Sequence, residues 1–342
     1  MRISLNWLKD FVDLDMPPSE LAELLTMRSL EVETVEPLGT SLEGVIASKI
    51  LSVRPHPKAD RLVLCDVDTG RGTVQVVCGA PNAKPGVVTP LAPPGVTLPG
   101  GVKVRESKIR GASSVGILLA EDEMGLTDDH TGVMVLPPDL EAGTPVCSAL
   151  PLQDWALEIG ITPNRPDCAS VLGVAREIAA LTGQRVRPPK AEFQEEDTPI
   201  EELTSVTLED PEGCPRYAAG MIRGVKLKPS PFWVRYRLHA CGLRGINNVV
   251  DVTNYVLLEM GQPLHSFDYD RLQENRIVVK RAEQGQMFTT LDGKTHTLSP
   301  ENLLICDGRR AVGLAGVMGG LNSEIFASTT NVLLESANFD PK

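Results

Sequence analysis

The sequence predicts an α+β multidomain protein in which a small helical or α+β domain is split by an inserted β-barrel and followed by a mixed α+β domain. Three observations lead to this fold class. Amphipathic helix patterns occur near the N terminus and again beyond residue 160. Short strand patterns crowded with proline and glycine lie between them. After an acidic stretch, helix and strand patterns alternate up to residue 342.

Helix patterns on both sides of the insert define the first domain. Ser4 is the candidate N-cap of a short helix, and residues 30–38 (LEVETVEPL) alternate like a strand. In residues 162–183, Asp167 is the candidate N-cap of an amphipathic helix and Gly183 its C-cap. The predicted divisions are residues 1–39 with 151–190, an insert over 40–150, an acidic linker over 191–203 and a final α+β domain over 204–342.

The sequence pattern of the insert is typical of a small all-β domain. GVIASKILSVRPH, RLVLCDVDTG and TVQVVCG are strand patterns, and residues 68–72 join two of them as a hairpin turn. Five or so short strands in about a hundred residues predict a Greek-key barrel such as an OB-fold. HPKAD, residues 56–60, contains a histidine and an aspartate, but a turn between strands explains it better than a catalytic pair.

Composition restricts the function. The formal charge of −12 argues against a nucleic-acid-binding protein, because affinity for phosphates comes from Lys and Arg. The charge is uneven, since residues 216–342 hold 15 Lys and Arg against 12 Asp and Glu. Seven cysteines without a C-x-x-C pair are typical of reduced thiols. No apolar run reaches the roughly 18 residues of a membrane span, so we expect a cytoplasmic protein without a membrane partner.

Two basic clusters in the insert are candidate phosphate contacts. A solvated surface is the alternative, because residues 40–150 carry 10 Lys and Arg against 12 Asp and Glu. The first cluster is Lys49, Arg54, Lys58 and Arg61, and the second is Lys103, Arg105, Lys108 and Arg110.

The run NNVVDVTNYVLLEMGQPLHSFD, residues 247–268, sets polar groups in an apolar helix that ends at Gly261. Asp251 is predicted to cap the helix and Glu259 to be exposed. His265 is either a turn histidine or part of a pocket.

A second candidate pocket wall lies near residue 342. Glu335 closes the apolar strand pattern NVLLESA, and Gly316 and Gly319 would let the backbone approach a ligand. A glutamate in this position is often only the first exposed residue of its strand.

Six segments together resemble one family, the β subunit of bacterial phenylalanyl-tRNA synthetase. They are MRISLNWLKDFVDL, HPKADRLVLCDVDTG, SKIRGASSVGILLAEDEMGL, TPNRPDCASVLGVAREIAALTG, GINNVVDVTNYVLLEMGQPLHSFDYDRL and GLAGVMGG with NVLLESANFDP. They occur in the family's order over essentially the whole chain. Ser29 stands where the family usually has glycine, and a chain ending at Lys342 is less than half the family's length, which implies an N-terminal fragment.

The resemblance implies a function for each domain. The insert would bind tRNA(Phe), and residues 204–342 would form an incomplete B3/B4-type editing domain that hydrolyses mischarged Tyr-tRNA(Phe). Glu335 would accept the tyrosine hydroxyl, with Gly316 and Gly319 beside it. Arg244, Asn254 and His265 would line this pocket or face the tRNA end, and His265 would position water.

The resemblance also implies partners. The intact ligase would be an (αβ)2 tetramer with the alpha subunit, using ATP and Mg2+. This fragment itself would bind neither ATP nor metal strongly. The alternative is a tRNA-binding or scaffold fragment without hydrolytic activity.

Overall fold

The computed structural model describes residues 1–39, 42–150 and 152–341. The predicted limits at residues 40, 151 and 342 therefore lie outside the described residues. The chain divides into two compact units of mixed α/β structure. The first comprises residues 1–164, 178–184 and 235–245, and the second comprises residues 165–177, 185–234 and 246–342.

The helices are α1 (Leu5–Leu8), α2 (Pro18–Arg28), α3 (Val146–Ala149), α4 (Val171–Thr182), α5 (Phe232–Ala240) and α6 (Asn248–Met260). The first unit contains β1 (Arg2–Ser4), β2 (Glu31–Leu38), β3 (Ile46–His56), β4 (Ala59–Asp68), β5 (Thr73–Cys78), β6 (Val88–Ala92), β7 (Ser107–Ile109), β8 (Ala112–Ser114), β9 (Ile117–Leu118) and β10 (Asp154–Gly160). The second contains β11 (Ser205–Leu208), β12 (Arg216–Ile222), β13 (His265–Asp268), β14 (Arg276–Arg281), β15 (Met287–Thr289), β16 (Thr295–Thr297), β17 (Leu303–Cys306), β18 (Ala311–Leu314), β19 (Met318–Gly319) and β20 (Val332–Asn338). Within the described ranges, no helix is long and apolar enough to cross a membrane.

An antiparallel sheet in the order β1-β10-β2 joins chain segments from both sides of the insert. The Ser4 hydroxyl accepts the N–H of Trp7 at 3.0 Å, which confirms the predicted cap of α1. The carboxylate of Asp154 then accepts the Ser4 hydroxyl at 2.5 Å and the N–H of Asn6 at 2.9 Å. Strand β10, which carries Asp154, has no counterpart among the predicted elements.

The insert is built on a five-stranded antiparallel sheet in the order β5-β4-β3-β6-β9, with β7 and β8 as a separate hairpin. Its core includes Ile50, Cys65, Val76 and Leu91. In the described ranges, strand pairing leaves this sheet open between β5 and β9, so the closed OB-fold barrel stays a prediction.

Helix α4 begins later than its sequence pattern predicts. The Ser170 hydroxyl accepts the N–H of Gly173 at 2.9 Å, and the helix starts at Val171. The prediction that Asp167 is the N-cap is therefore wrong, because the chain first passes through the 3-10 turn Pro166–Cys168. Gly183, with φ +71°, follows the last turn as predicted.

In the second unit, β12-β20-β13 form one antiparallel sheet and β11-β14-β17-β18-β19 form another. Phe267, Ile277, Ile305 and Leu333 belong to one buried cluster shared by strands of both sheets. Strands β15 and β16 form a hairpin. Burial of the cluster residues on β13 and β20 sets the register of these two strands. The register in turn determines on which face of the strands their polar residues lie.

Helix α6 confirms the predicted helix and its Gly261 C-cap, where φ is +77°. Its N-cap is Asn247, whose side chain accepts two backbone N–H groups, so the prediction that Asp251 is the cap is wrong. Asp251 is fully buried and accepts the N–H of Ile246 at 2.7 Å and the hydroxyl of Ser230 at 2.5 Å. Asp251 therefore stabilises the segment that precedes α6 and does not cap the helix N terminus.

Candidate functional site

His265 and Glu335 lie directly opposite each other on neighbouring strands, β13 and β20. Residues paired in this way point to the same face of a sheet. The arrangement begins with Gly261, which ends α6, because the chain then turns at Pro263 and enters β13 with His265 as its first residue. Two residues 70 positions apart are therefore neighbours.

Glu335 is 6% exposed, which is unusual for a carboxylate. Burial raises the pKa of Glu335 to about 7, and a hydrogen bond from Tyr217 acts in the opposite direction. The Tyr217 hydroxyl donates to Oε2 of Glu335 at 2.8 Å. The carboxyl group is thus close to half ionised near neutral pH and already has one fixed donor.

His265 is half-buried by relative surface area, and burial of its imidazole lowers its pKa to about 4. Its imidazole packs edge-on against the Phe267 ring, with 4.5 Å between ring centroids. The imidazole is therefore neutral at physiological pH, when one ring nitrogen can donate and the other accept a hydrogen bond. A pKa this low makes it a weak base but leaves it able to orient a water molecule.

Glu335 and His265 share a cavity of about 220 Å³. Every other residue on its wall, within the described ranges, is apolar or glycine, including Leu264, Ile305 and Phe339. Drug-sized sites occupy roughly 300–1,000 Å³, so this cavity is matched to a smaller group such as an amino-acid side chain.

A glycine-containing loop forms one side of the cavity. An ideal Cβ at Gly319 would lie 2.4 Å from Cε1 and 2.6 Å from Nε2 of His265. The imidazole therefore occupies the space that any side chain at position 319 would need. Gly316, with φ +69°, makes the turn that brings this loop over the cavity.

Of the six predicted pocket residues, the structure brings four together. Glu335, His265, Gly316 and Gly319 line the cavity, whereas Asn254 and Arg244 are not among its described lining residues. Asn254 is half-buried on α6, and Arg244 is exposed in the loop after α5. Glu259, predicted to be exposed, is half-buried.

The eight cations of the insert are all exposed. Arg54 forms an ion pair with Asp66 at 2.8 Å, which partly neutralises it. The β7–β8 hairpin lies against the β3–β4 turn, because Nε2 of His56 is 3.0 Å from the carbonyl oxygen of Ile109. A Cβ built at Gly111 would be 3.7 Å from Nζ of Lys58. Lys58 thus joins Lys108 and Arg110 of the hairpin in one surface, here named the hairpin surface.

The segment HPKAD, residues 56–60, has a structural role at the junction of β3 and β4. His56 is 5% exposed, and its Nδ1 accepts the N–H of Lys58 at 3.1 Å. Residues 57 and 58 form the turn between β3 and β4, which confirms the predicted turn. With both ring nitrogens bonded to backbone groups, His56 serves the fold.

Asp167, Cys168 and Glu177 are the one group in the described ranges whose ligand atoms lie close enough to hold a metal ion. The Arg165 guanidinium contacts all three, at 2.8 Å from Asp167 Oδ2, 2.8 Å from Cys168 Sγ and 2.6 Å from Glu177 Oε1. A cation already fills the centre of this group, so its residues do not fit a resident Mg2+.

Comparisons with known proteins agree with this architecture. A family model described as the B3/4 domain matches residues 213–342, which include the cavity, and a tRNA binding domain model matches residues 45–145 of the insert. The phenylalanine–tRNA ligase beta subunit of Syntrophotalea carbinolica is 54% identical over 341 residues, covering 100% of this chain. That of Syntrophus aciditrophicus is 51% identical over 341 residues, again covering 100% of this chain. The chain belongs to the phenylalanine–tRNA ligase beta subunit family.

The chain spans 42% of the length of each of these two beta subunits. Among solved structures, an N-terminal fragment of the phenylalanyl-tRNA synthetase beta subunit from Pyrococcus horikoshii is similar over 55% of this chain and 57% of that one. The two chains are 18% identical, with a TM-score of 0.32. The family resemblance predicted from sequence motifs is confirmed by the curated beta subunits.

Tyr217 is the site residue that the sequence does not reveal. It lies on β12, where Ala219 is paired with Glu335, so Tyr217 lies on the same face two residues away. The segment RYAAGMI carries no polar motif, and 118 positions separate Tyr217 from its partner. Strand pairing alone brings this hydroxyl to the carboxylate.

Proposed function

We propose that the second unit is an editing site that hydrolyses tyrosine from mischarged tRNA(Phe), as part of a phenylalanine–tRNA ligase beta subunit. The observation that carries this proposal is the pairing of Glu335 and His265 on one wall of an otherwise apolar cavity. The cavity suits an aromatic ring, and the two polar groups suit a phenol and a water molecule.

The need for such a site follows from the limits of apolar discrimination. A hydrophobic pocket rejects an analogue with one added hydroxyl by only about a hundredfold. A buried carboxylate selects for that hydroxyl. It accepts a hydrogen bond from the phenol O–H of tyrosine, whereas bound phenylalanine leaves it without a hydrogen-bond donor. Glu335, 6% exposed, has the burial that this role requires.

His265 is proposed to orient the attacking water. Water adds to the ester carbonyl, the bond to the terminal ribose oxygen breaks, and that oxygen leaves as a hydroxyl after receiving a proton from the water. Free tyrosine and uncharged tRNA are the products. The neutral imidazole bonds to water without forming a covalent intermediate. Asn254 and Arg244, which do not line the cavity, are proposed to face the tRNA end.

The insert is proposed to be an OB-like tRNA-binding domain over residues 40–150, between the two parts of a domain formed by 1–39 and 151–190. Residues 191–203 are the linker, and 204–342 the editing domain. In support, the N–H of Val115, just before β9, donates to the carbonyl of Gln75 on β5 at 2.9 Å. The two ends of the open sheet therefore meet through this hydrogen bond. All eight predicted cations of the insert are proposed tRNA contacts, and the hairpin surface is proposed as the strongest.

Reversing the charge of the hairpin surface, with Lys108→Glu and Arg110→Glu together, is expected to weaken tRNA binding. Each phosphate contact releases counterions, so the slope of log K against log salt should become shallower by about 2. Filter binding of tRNA(Phe) from 50 to 200 mM salt (about the range in which such contacts are resolved) measures both effects. Arg71→Glu with Lys84→Glu makes the same charge change at exposed positions elsewhere in the insert. An equal loss in that control would assign the effect to net charge.

The remaining proposals concern the intact enzyme. It would be a cytoplasmic (αβ)2 tetramer with the alpha subunit, which attaches phenylalanine to tRNA(Phe) with ATP and Mg2+. ATP and Mg2+ chemistry would belong to residues outside the described cavity, and no step proposed for Glu335 or His265 involves them.

Deacylation tests the editing function directly. Tyr-tRNA(Phe) and Phe-tRNA(Phe) are incubated with this chain and with the full-length subunit, and release of the amino acid is followed. Hydrolysis of the tyrosyl ester in preference to the phenylalanyl ester is expected. Inactivity of both proteins on Tyr-tRNA(Phe) would rule out the editing site and leave the alternative of a tRNA-binding or scaffold fragment.

A further inference from the structure

Tyr217 stands behind Glu335 and is not on the cavity wall. Its ring packs on the buried cluster that contains Phe267 and Leu333, and its hydroxyl donates to Oε2 of Glu335 at 2.8 Å. The other carboxylate oxygen, Oε1, forms no hydrogen bond with any residue in the described ranges. One oxygen of Glu335 is therefore held by the protein, and the other is available to the cavity.

We propose that Tyr217 is a positioning residue, which anchors Oε2 of Glu335 so that Oε1 is presented to the phenol of the substrate. This inference rests on the proposed editing function. Without this hydrogen bond, the Glu335 side chain would be free to rotate. Binding of the phenol would then have to offset the loss of side-chain entropy on fixing Glu335, a loss that the bond to Tyr217 has already made in the folded protein.

The same hydrogen bond controls the charge of Glu335. A donor to a carboxylate favours its ionised form, and here it opposes the effect of burial. The titratable groups that face Glu335 are Tyr217, His265 and Cys214. Burial raises the pKa of the Tyr217 phenol and of the Cys214 thiol and lowers the pKa of His265 to about 4, so all three are neutral near pH 7.

With no cation among these three neighbours, loss of the Tyr217 hydroxyl removes the one favourable contact that opposes desolvation. The titration midpoint of Glu335 then moves to higher pH. At neutral pH a larger fraction of Glu335 is the neutral acid, which is a weaker acceptor for the phenol.

Tyr217→Phe tests this role, with Tyr269→Phe as the matched control. Tyr269 packs against the same buried cluster, but its hydroxyl donates to the backbone carbonyl of Leu203. Infrared difference spectra against Glu335→Gln isolate the C=O band of protonated Glu335 as pH is raised. We expect the midpoint of this band to move up by about one pH unit in Tyr217→Phe and to stay in place in Tyr269→Phe.

Deacylation by the full-length subunit supplies the second measurement. Tyr217→Phe should lower the ratio of tyrosyl to phenylalanyl ester hydrolysis by about tenfold at pH 7, with partial recovery at higher pH as Glu335 ionises. An unmoved midpoint, or an equal shift in Tyr269→Phe, would overturn the positioning role. A shifted midpoint in a protein whose wild type does not discriminate between the two esters would retain Tyr217 as the anchor of Glu335 and reject the editing function instead.

Discussion

Glu335→Ala is expected to lower the ratio of tyrosyl to phenylalanyl ester hydrolysis by roughly a hundredfold, because it removes a charge-assisted hydrogen bond to the phenol. The loss should fall on the tyrosyl ester, since phenylalanine makes no such bond. Rates of deacylation of Tyr-tRNA(Phe) and Phe-tRNA(Phe) at equal enzyme concentration measure this ratio. Glu335→Gln, which keeps the shape and one acceptor oxygen, should give an intermediate ratio.

Glu283→Ala is the matched control for this experiment, because it removes an exposed carboxylate from the same unit. Its ratio should equal that of the wild type. A thermal melt of Glu335→Ala separates loss of recognition from loss of folding. If folded Glu335→Ala retained the wild-type ratio, recognition of the hydroxyl would have to lie elsewhere.

The second large effect is on stability. Burial raises the pKa of Glu335 from 4.5 to about 7, so the folded chain binds an extra proton between these values. The stability this provides is complete below pH 4.5 and is lost as pH rises through about 7. A shift of this size corresponds to about 3 kcal/mol. Glu335→Gln mimics the protonated form at every pH, so it should match the wild type near pH 4.5 and be more stable by about 3 kcal/mol above pH 8.

Urea denaturation of both proteins at the two pH values measures the difference. His265 titrates over an overlapping range, since its lowered pKa of about 4 makes acid destabilising as pH falls from 6.5. That contribution is present in both proteins and cancels in the comparison. A stability difference that does not change with pH would mean that Glu335 is ionised in the folded state at both values.

Local pattern was sufficient for many elements. The strand LEVETVEPL, the hairpin turn at residues 68–72 and helix α6 with Gly261 all lie where their spacing predicts. Local pattern failed where a competing side chain decided the outcome. Asp167 has the composition of an N-cap, but Ser170 caps α4. Asp167 instead lies in the 3-10 turn Pro166–Cys168 before the helix, where its carboxylate pairs with Arg165.

The order of the motifs was enough for the family, and the family resemblance singled out Glu335 and His265, which local pattern alone left as an exposed strand end and a turn histidine. Only the tertiary structure decided that these two side chains face each other, that Tyr217 anchors one of them, and that Gly319 must lack a side chain beside the imidazole. The physical reason is that strand register is set by burial of Phe267 and Leu333 across the sheet. Strand register depends on contacts between strands that are distant in sequence. The alternation of side chains along a single strand depends only on its own residues.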